Sequence, residues 1–206
     1  MMRIKKFLAL ATVAVIQSAV AQPVSAQTST VSDPVGDGFF HNAPAFQDIV
    51  MGQLTKTASG DFELLMGMAG PVPAAPPLPP PGVTEIWWTW IFDLDSTTSP
   101  QGYPFPPTVA GETIPEFVVY VSWDGTEFAG TAIDRRPLLS GGEAIITPVP
   151  FSINGTIVEA FLASELIGPV PASFGWGPFT ADWAGPVGSE GFNFADYCET
   201  RAVFNP

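Results

Sequence analysis

The sequence predicts an all-β fold: an antiparallel β-sandwich or jelly roll of about eight strands with one short helical turn. Three observations carry this. Apolar residues recur at alternate positions in short runs, and Gly, Pro, Asn-Gly or Asp-Gly interrupts each run. One run, Glu85-Ile86-Trp87-Trp88-Thr89-Trp90-Ile91-Phe92-Asp93, is apolar on both faces, with Ile86, Trp88, Trp90 and Phe92 on one and Trp87, Thr89 and Ile91 on the other. That pattern fits a central strand covered on each side, or one covered on a single side that offers Trp87 to a ligand. Helical periodicity is almost absent. An immunoglobulin-type sandwich is the alternative architecture, but its Cys…Trp…Cys pattern is missing.

Residues 1–26 read as a secretory leader. Arg3, Lys5 and Lys6 precede the apolar run Phe7 to Val20, which is too short for a retained span. Cleavage is expected after Ala26, with cleavage after Ala21 as the other option. A single domain, residues 27–206, follows. Gln27 to Ser32 is a polar lead-in, and Asp33-Pro34-Val35-Gly36-Asp37-Gly38 a tight acidic turn. Asp48 to Leu54 and Phe62 to Ala69 form a hairpin about Ser59-Gly60-Asp61, with Phe62, Leu64, Met66 and Met68 on one face. Gly70 to Gly82 is a polyproline-type loop inside the domain: a stiff surface connection by preference, a recognition segment as the alternative.

After the tryptophan strand comes a long Pro/Gly loop, Thr97 to Thr113. Phe117 to Trp123 and Thr126 to Ile133 then pair across Asp124-Gly125, read as a type I′ turn. Ala144 to Val149 and Phe151 to Ile153 are short strands. Asn154-Gly155 turns the chain into Thr156 to Leu162, and with Thr156 it also fits a glycosylation sequon. Ser164-Glu165-Leu166-Ile167-Gly168 is one helical turn with Ser164 as cap and Gly168 as stop. Phe174, Trp176, Phe179 and Trp183 mark a last aromatic strand.

Once the leader is removed, four basic residues (Lys56, Arg135, Arg136, Arg201) face 20 acidic ones, a net charge of −16. Such a surface repels nucleic acid and anionic lipid and suits cations or neutral partners. Cys198 is the lone cysteine, so no intrachain disulfide forms, and stability must come from a large core, a metal, or both.

Asp33-Pro34-Val35-Gly36-Asp37, Asp48-Ile49-Val50, Phe92-Asp93-Leu94-Asp95, Asn154 to Ala160 and Ser164 to Gly168, in that order, resemble the DOMON-like superfamily of secreted jelly rolls. Within it the chain is similar to domains related to family-nine carbohydrate-binding modules, including those of glucodextranase-type and pullulanase-type enzymes. The resemblance implies a structural calcium ion on the Asp-Pro-x-Gly-Asp turn, matched here by Asp33 and Asp37, with Asp48, Asp93 and Asp95 matching other acidic positions less specifically. Family members often continue Asp-x-Asp with Thr-Gly, whereas this chain reads Ser96-Thr97-Thr98-Ser99-Pro100. It also implies a sugar-binding aromatic platform, for which Trp87, Tyr103, Trp123 and Trp176 are the candidates, although aromatics in a sandwich are more often core.

Residue chemistry points the same way for the turn. Calcium takes six to eight oxygen ligands, and Asp33 and Asp37 supply side-chain and main-chain oxygens from one stretch. The competing reading makes both plain turn caps. Side by side on one strand, Asp93 and Asp95 cannot flank a glycosidic bond, so a glycosidase pair is disfavoured. His41 is the single histidine, no Gly-x-Ser-x-Gly elbow exists, and Cys198 lies among acids that raise its pKa. The expectation is a secreted, non-catalytic calcium-bearing sandwich that binds a polysaccharide or another cell-surface component. The alternatives are a ligand-free structural or accessory envelope protein and, less favoured, a haem-binding electron-transfer domain using His41 with Met51, Met66 or Met68.

Overall fold

Alternation becomes two stacked antiparallel sheets because each run has one side that must leave water. The computed structural model describes residues 26–38, 43–79, 82–94, 115–184, 192–198 and 202–205. Five strands form one sheet, in the order β1 (Gln27–Ser32), β2 (Ile49–Lys56), β3 (Phe62–Met68), β9 (Ile157–Leu162) and β8 (Phe151–Asn154). Seven form the other: β11 (Phe192–Tyr197), β10 (Phe174–Trp183), β4 (Glu85–Asp93), β5 (Phe117–Trp123), β6 (Phe128–Asp134) and β7 (Ile145–Pro148), with β12 (Ala202–Phe204) pairing the early part of β10.

The tryptophan strand is central. β4 pairs along its length with β10 on one side and β5 on the other. Ile86, Trp88, Trp90 and Phe92 are fully buried between the sheets with Phe62, Leu64, Met66 and Met68 of β3. Three of the inner indoles also satisfy their N–H: Trp88 Nε1 donates to the Phe46 carbonyl at 2.9 Å, Trp90 Nε1 to the Leu65 carbonyl at 3.4 Å and Trp176 Nε1 to Ser29 Oγ at 3.0 Å. This is how an indole enters a core without leaving a buried donor unmade. At one end of the core Phe62, Phe92, Phe174 and Phe204 pack with ring centroids 5.3–6.4 Å apart, tying β12 to the rest of the core. The outer face of the seven-stranded sheet is apolar too, where Ile91, Val118, Phe179 and Ala181 are buried together.

β1, β11 and β12 join the predicted strands. β1 was a polar lead-in by sequence because only Val31 in it is buried; it is an edge strand held by its backbone register with β2. Two local readings are corrected. Asp124-Gly125 is not a two-residue type I′ turn, since Trp123 pairs with Phe128 and four residues form the loop. Asp124 Oδ1 accepts the Thr126 hydroxyl and the N–H groups of Glu127 and Thr126, and these bonds hold its carboxyl below the usual range. The helical turn α1 (Ser164–Ile167) is capped not by Ser164 but from a distant turn, with Asp61 Oδ1 accepting the Ser164 N–H at 3.0 Å. Gly168 does stop it, at φ +67°. Asn154, Gly155 and Thr156 are exposed at the β8–β9 turn. The Pro-rich connection lies against the sandwich: the Val72 N–H bonds the Gly155 carbonyl and Leu78 packs on the core.

One glycine tests how closely the two sheets approach at the β7–β8 crossing. A Cβ on Gly130 would sit 2.4 Å from the Val149 carbonyl oxygen and 2.9 Å from the Phe151 ring. Gly130→Ala is therefore expected to cost about 1–3 kcal/mol by overpacking, read as a lower denaturant midpoint with an unchanged slope.

Candidate metal centre

A short turn plugs one end of the sandwich, and the acidic site is built on it. The Trp88 indole and Thr180 Oγ1 bond the carbonyls of Phe46 and Gln47, the latter at 2.6 Å. Gln47, itself fully buried, donates from Nε2 to Asp182 Oδ1 at 2.8 Å. The next residue, Asp48, receives the Gly36 N–H on both carboxylate oxygens, at 2.9 and 3.2 Å. Gly36 takes φ +83°, which a side chain would resist, and a Cβ on Gly38 would meet the Ala195 carbonyl and the Ala43 Cβ at 3.0 Å. So the Asp33–Gly38 loop folds back on the plug and against β11.

Asp196 of β11 completes the arrangement. Oxygens of Asp33, Asp37 and Asp196 all lie within 4.8 Å of one another, with Asp37 exposed, Asp33 half-buried and Asp196 buried. Two oxygens on one calcium ion, each about 2.3–2.6 Å from it, lie at most about 4.6–5.2 Å apart. The triad can therefore hold a metal ion, leaving backbone carbonyls or water to complete the shell. Asp196 reaches this side because of a β-bulge. Thr180 opposes Asp196 but Ala181 opposes Phe194, so Ala195 is the extra residue. Without it Asp196 would oppose Phe179, whose side chain is on the outer face; the bulge returns it to the inner face. There its Oδ2 also accepts the Ile49 N–H at 2.6 Å. One carboxylate thus links β11, the plug and the first loop.

Two of the chain's basic residues are engaged elsewhere. Lys56 is at the far end of β2, and Arg136 pairs with Asp134 at 2.7 Å beside Phe117. Burial raises the Asp48 pKa, and Asp37 raises it further, against the lowering effect of the Gly36 bond. Cys198 is buried close by; its thiol pKa is driven up first by burial and then by Asp33, Asp196 and Asp37, so it stays a neutral thiol. The sequence reading blamed acidic neighbours alone; burial is the larger cause.

The other predicted residues are distributed. Asp48 stands behind the turn as its hydrogen-bond acceptor, outside the group of three. Asp93 opposes Gly175, five residues along β4 from Trp88, whose partner Thr180 opposes Asp196, so it is remote from the triad. Asp95, Tyr103 and His41 lie outside the described residues. Trp123 and Trp176 are buried between the sheets, whereas Trp87 faces outward. These three do not make one platform. Trp87 is moreover sandwiched, with Tyr120 at 4.5 Å and Trp183 at 5.2 Å, both nearly parallel, so both of its faces are already covered. Its Nε1 donates to Glu85 at 2.6 Å. Met66 and Met68 are core residues. Asp196 was missed as a ligand, since nothing in its neighbourhood of sequence signals a bulge; its bare acidity was the one clue.

Asp182 supplies a pH test separate from the metal. Burial raises its pKa above the ordinary 3.8, more than the Gln47 bond lowers it. The native state then binds this proton more tightly than the unfolded chain does. The associated stability is complete below pH 3.8 and is lost as pH rises through the elevated value. In chelator, Asp182→Asn is expected to match the wild type in acid and to exceed it in thermal midpoint at neutral pH. Equal midpoints at all pH values would contradict this.

No protein-family model matches the chain, and no curated protein or solved structure matches it either.

Proposed function

We propose that the protein is an exported, non-catalytic β-sandwich that uses a calcium ion on Asp33, Asp37 and Asp196 to close its fold, and that serves to recognise a polysaccharide or another cell-surface component. The convergence of three carboxylates from two distant parts of the chain is the observation that carries it. Hard oxygen ligands on a loop and a bulged strand suit calcium better than a thiophilic metal, and Cys198 is not one of the converging group. A bound cation would offset mutual repulsion in a chain with 20 acidic residues and no disulfide. The leader-like start supports export, and the acidic surface favours neutral or cationic partners over nucleic acid and anionic membranes. The sugar-facing role rests on the sequence resemblance, not on Trp87, Trp123 or Trp176, whose rings are engaged in packing.

Retention of the purified mature chain on a panel of insoluble polysaccharides and intact cells tests this. Binding to at least one matrix in calcium, lost on chelation, is the expected result. Absence of retention throughout would remove the recognition role and leave the metal site to be judged on its own.

A further inference from the structure

We propose that the open side of the sandwich, around α1, is a docking cleft for an extended basic segment of a partner protein that inserts two apolar side chains. Among the described residues β7 pairs only with β6 and β8 only with β9, so both sheets end here without a covering strand. Two cavities flank Leu166 of α1. One, of about 200 Å³, is floored by Phe117, Ala132 and Ile145; the other, of about 310 Å³, by Phe62, Phe161 and Leu162. Ile145 is 55% exposed and Phe161 40%, a high fraction for side chains of this size.

The occupant follows from the chemistry of walls and rim. The floor residues of both cavities are apolar, with Thr147 beside the first and Thr57 and Ser59 beside the second, and such floors suit hydrocarbon side chains better than the hydroxyl-covered surface of a sugar. Carboxylates edge both cavities: Glu165 and Asp134 at the first, Glu63 and Asp61 at the second. Asp134 is paired with Arg136 and Asp61 caps α1, so Glu165 and Glu63, both exposed, are the groups that meet a newcomer. A second copy of this chain, equally acidic, is repelled, whereas lysine or arginine flanking apolar anchors is attracted. Two side-chain-sized cavities either side of a ridge fit two anchors from one segment. None of this uses the metal site.

A short fluorescent peptide of alternating leucine and lysine, capped at both ends, is the probe, with a leucine–glutamate peptide and a serine–lysine peptide as controls. The leucine–lysine peptide is expected to bind at least tenfold more tightly than either control and to weaken as salt is raised. Glu165→Lys and Ile145→Lys, both at exposed positions, should each weaken binding at least tenfold with the thermal midpoint kept. Glu127→Lys, at the opposite end of β6, should not. Equal binding of the serine–lysine peptide would show charge attraction without a cleft and overturn the proposal. So would insensitivity to Glu165→Lys and Ile145→Lys, or displacement of the peptide by soluble glycans. A photoreactive version that crosslinks to residues 145–147 and 161–166 would support it independently of any substitution.

Discussion

Trp88→Ala is expected to lower stability by about 3–5 kcal/mol, the usual cost of removing a large buried aromatic, and so to consume a large part of a typical domain's 5–15 kcal/mol. Trp88 has no solvent exposure and lies in β4, the strand through which β10 and β5 are joined. Two losses combine. The cavity forfeits contacts with the core and with Phe128, whose ring centroid is 6.0 Å away. The Phe46 carbonyl also loses the indole N–H that anchors the plug. Urea unfolding followed by circular dichroism measures it. Trp88→Phe should recover much of the packing but not the bond. Trp87→Ala, on the outer face, removes two ring stacks worth about 0.5–1.5 kcal/mol each beyond area and should cost less. A smaller effect at Trp88 than at Trp87 would show that the inner face is not the main core.

Asp196→Asn carries the second large effect, and its sign depends on the ion. In chelator the substitution removes one of three mutually repelling carboxylates, while an amide oxygen can still accept the Ile49 N–H. The variant should then melt at or above the wild-type temperature. With calcium at 100 times its dissociation constant, the wild type should gain about 2.7 kcal/mol and the variant little of it. The order of the two melting curves therefore reverses between the two buffers. If Asp196 were only a structural acceptor, calcium would shift the wild type and the variant alike.

The fold was legible because burial and alternation are local. Phe62, Leu64, Met66 and Met68, or Ile86, Trp88, Trp90 and Phe92, declare a buried face by spacing alone, and the central position of β4 follows from apolar character on both faces. What escaped was set by chain segments far apart. Asp61 caps α1 across 103 positions, a bond no window of sequence contains. β1 pairs through its backbone, to which a polar side-chain pattern gives no clue. For the site, Asp33 and Asp37 could be picked from the Gly36 turn, yet Asp48 turned out to serve that turn as an acceptor, and Asp196 enters through a one-residue bulge that inverts the face of every residue beyond it. The aromatic platform failed for a general reason: tryptophans in a sandwich are spent on the core or on each other before a ligand can use them, as Trp176 and Trp87 are.

Isothermal titration of the chelator-stripped chain with calcium tests the central claim most directly. One ion per chain is expected, with the heat lost in both Asp37→Asn and Asp196→Asn and retained in Asp182→Asn. No saturable heat, or a signal untouched by Asp37→Asn and Asp196→Asn, would contradict the assignment of Asp33, Asp37 and Asp196 as a metal centre.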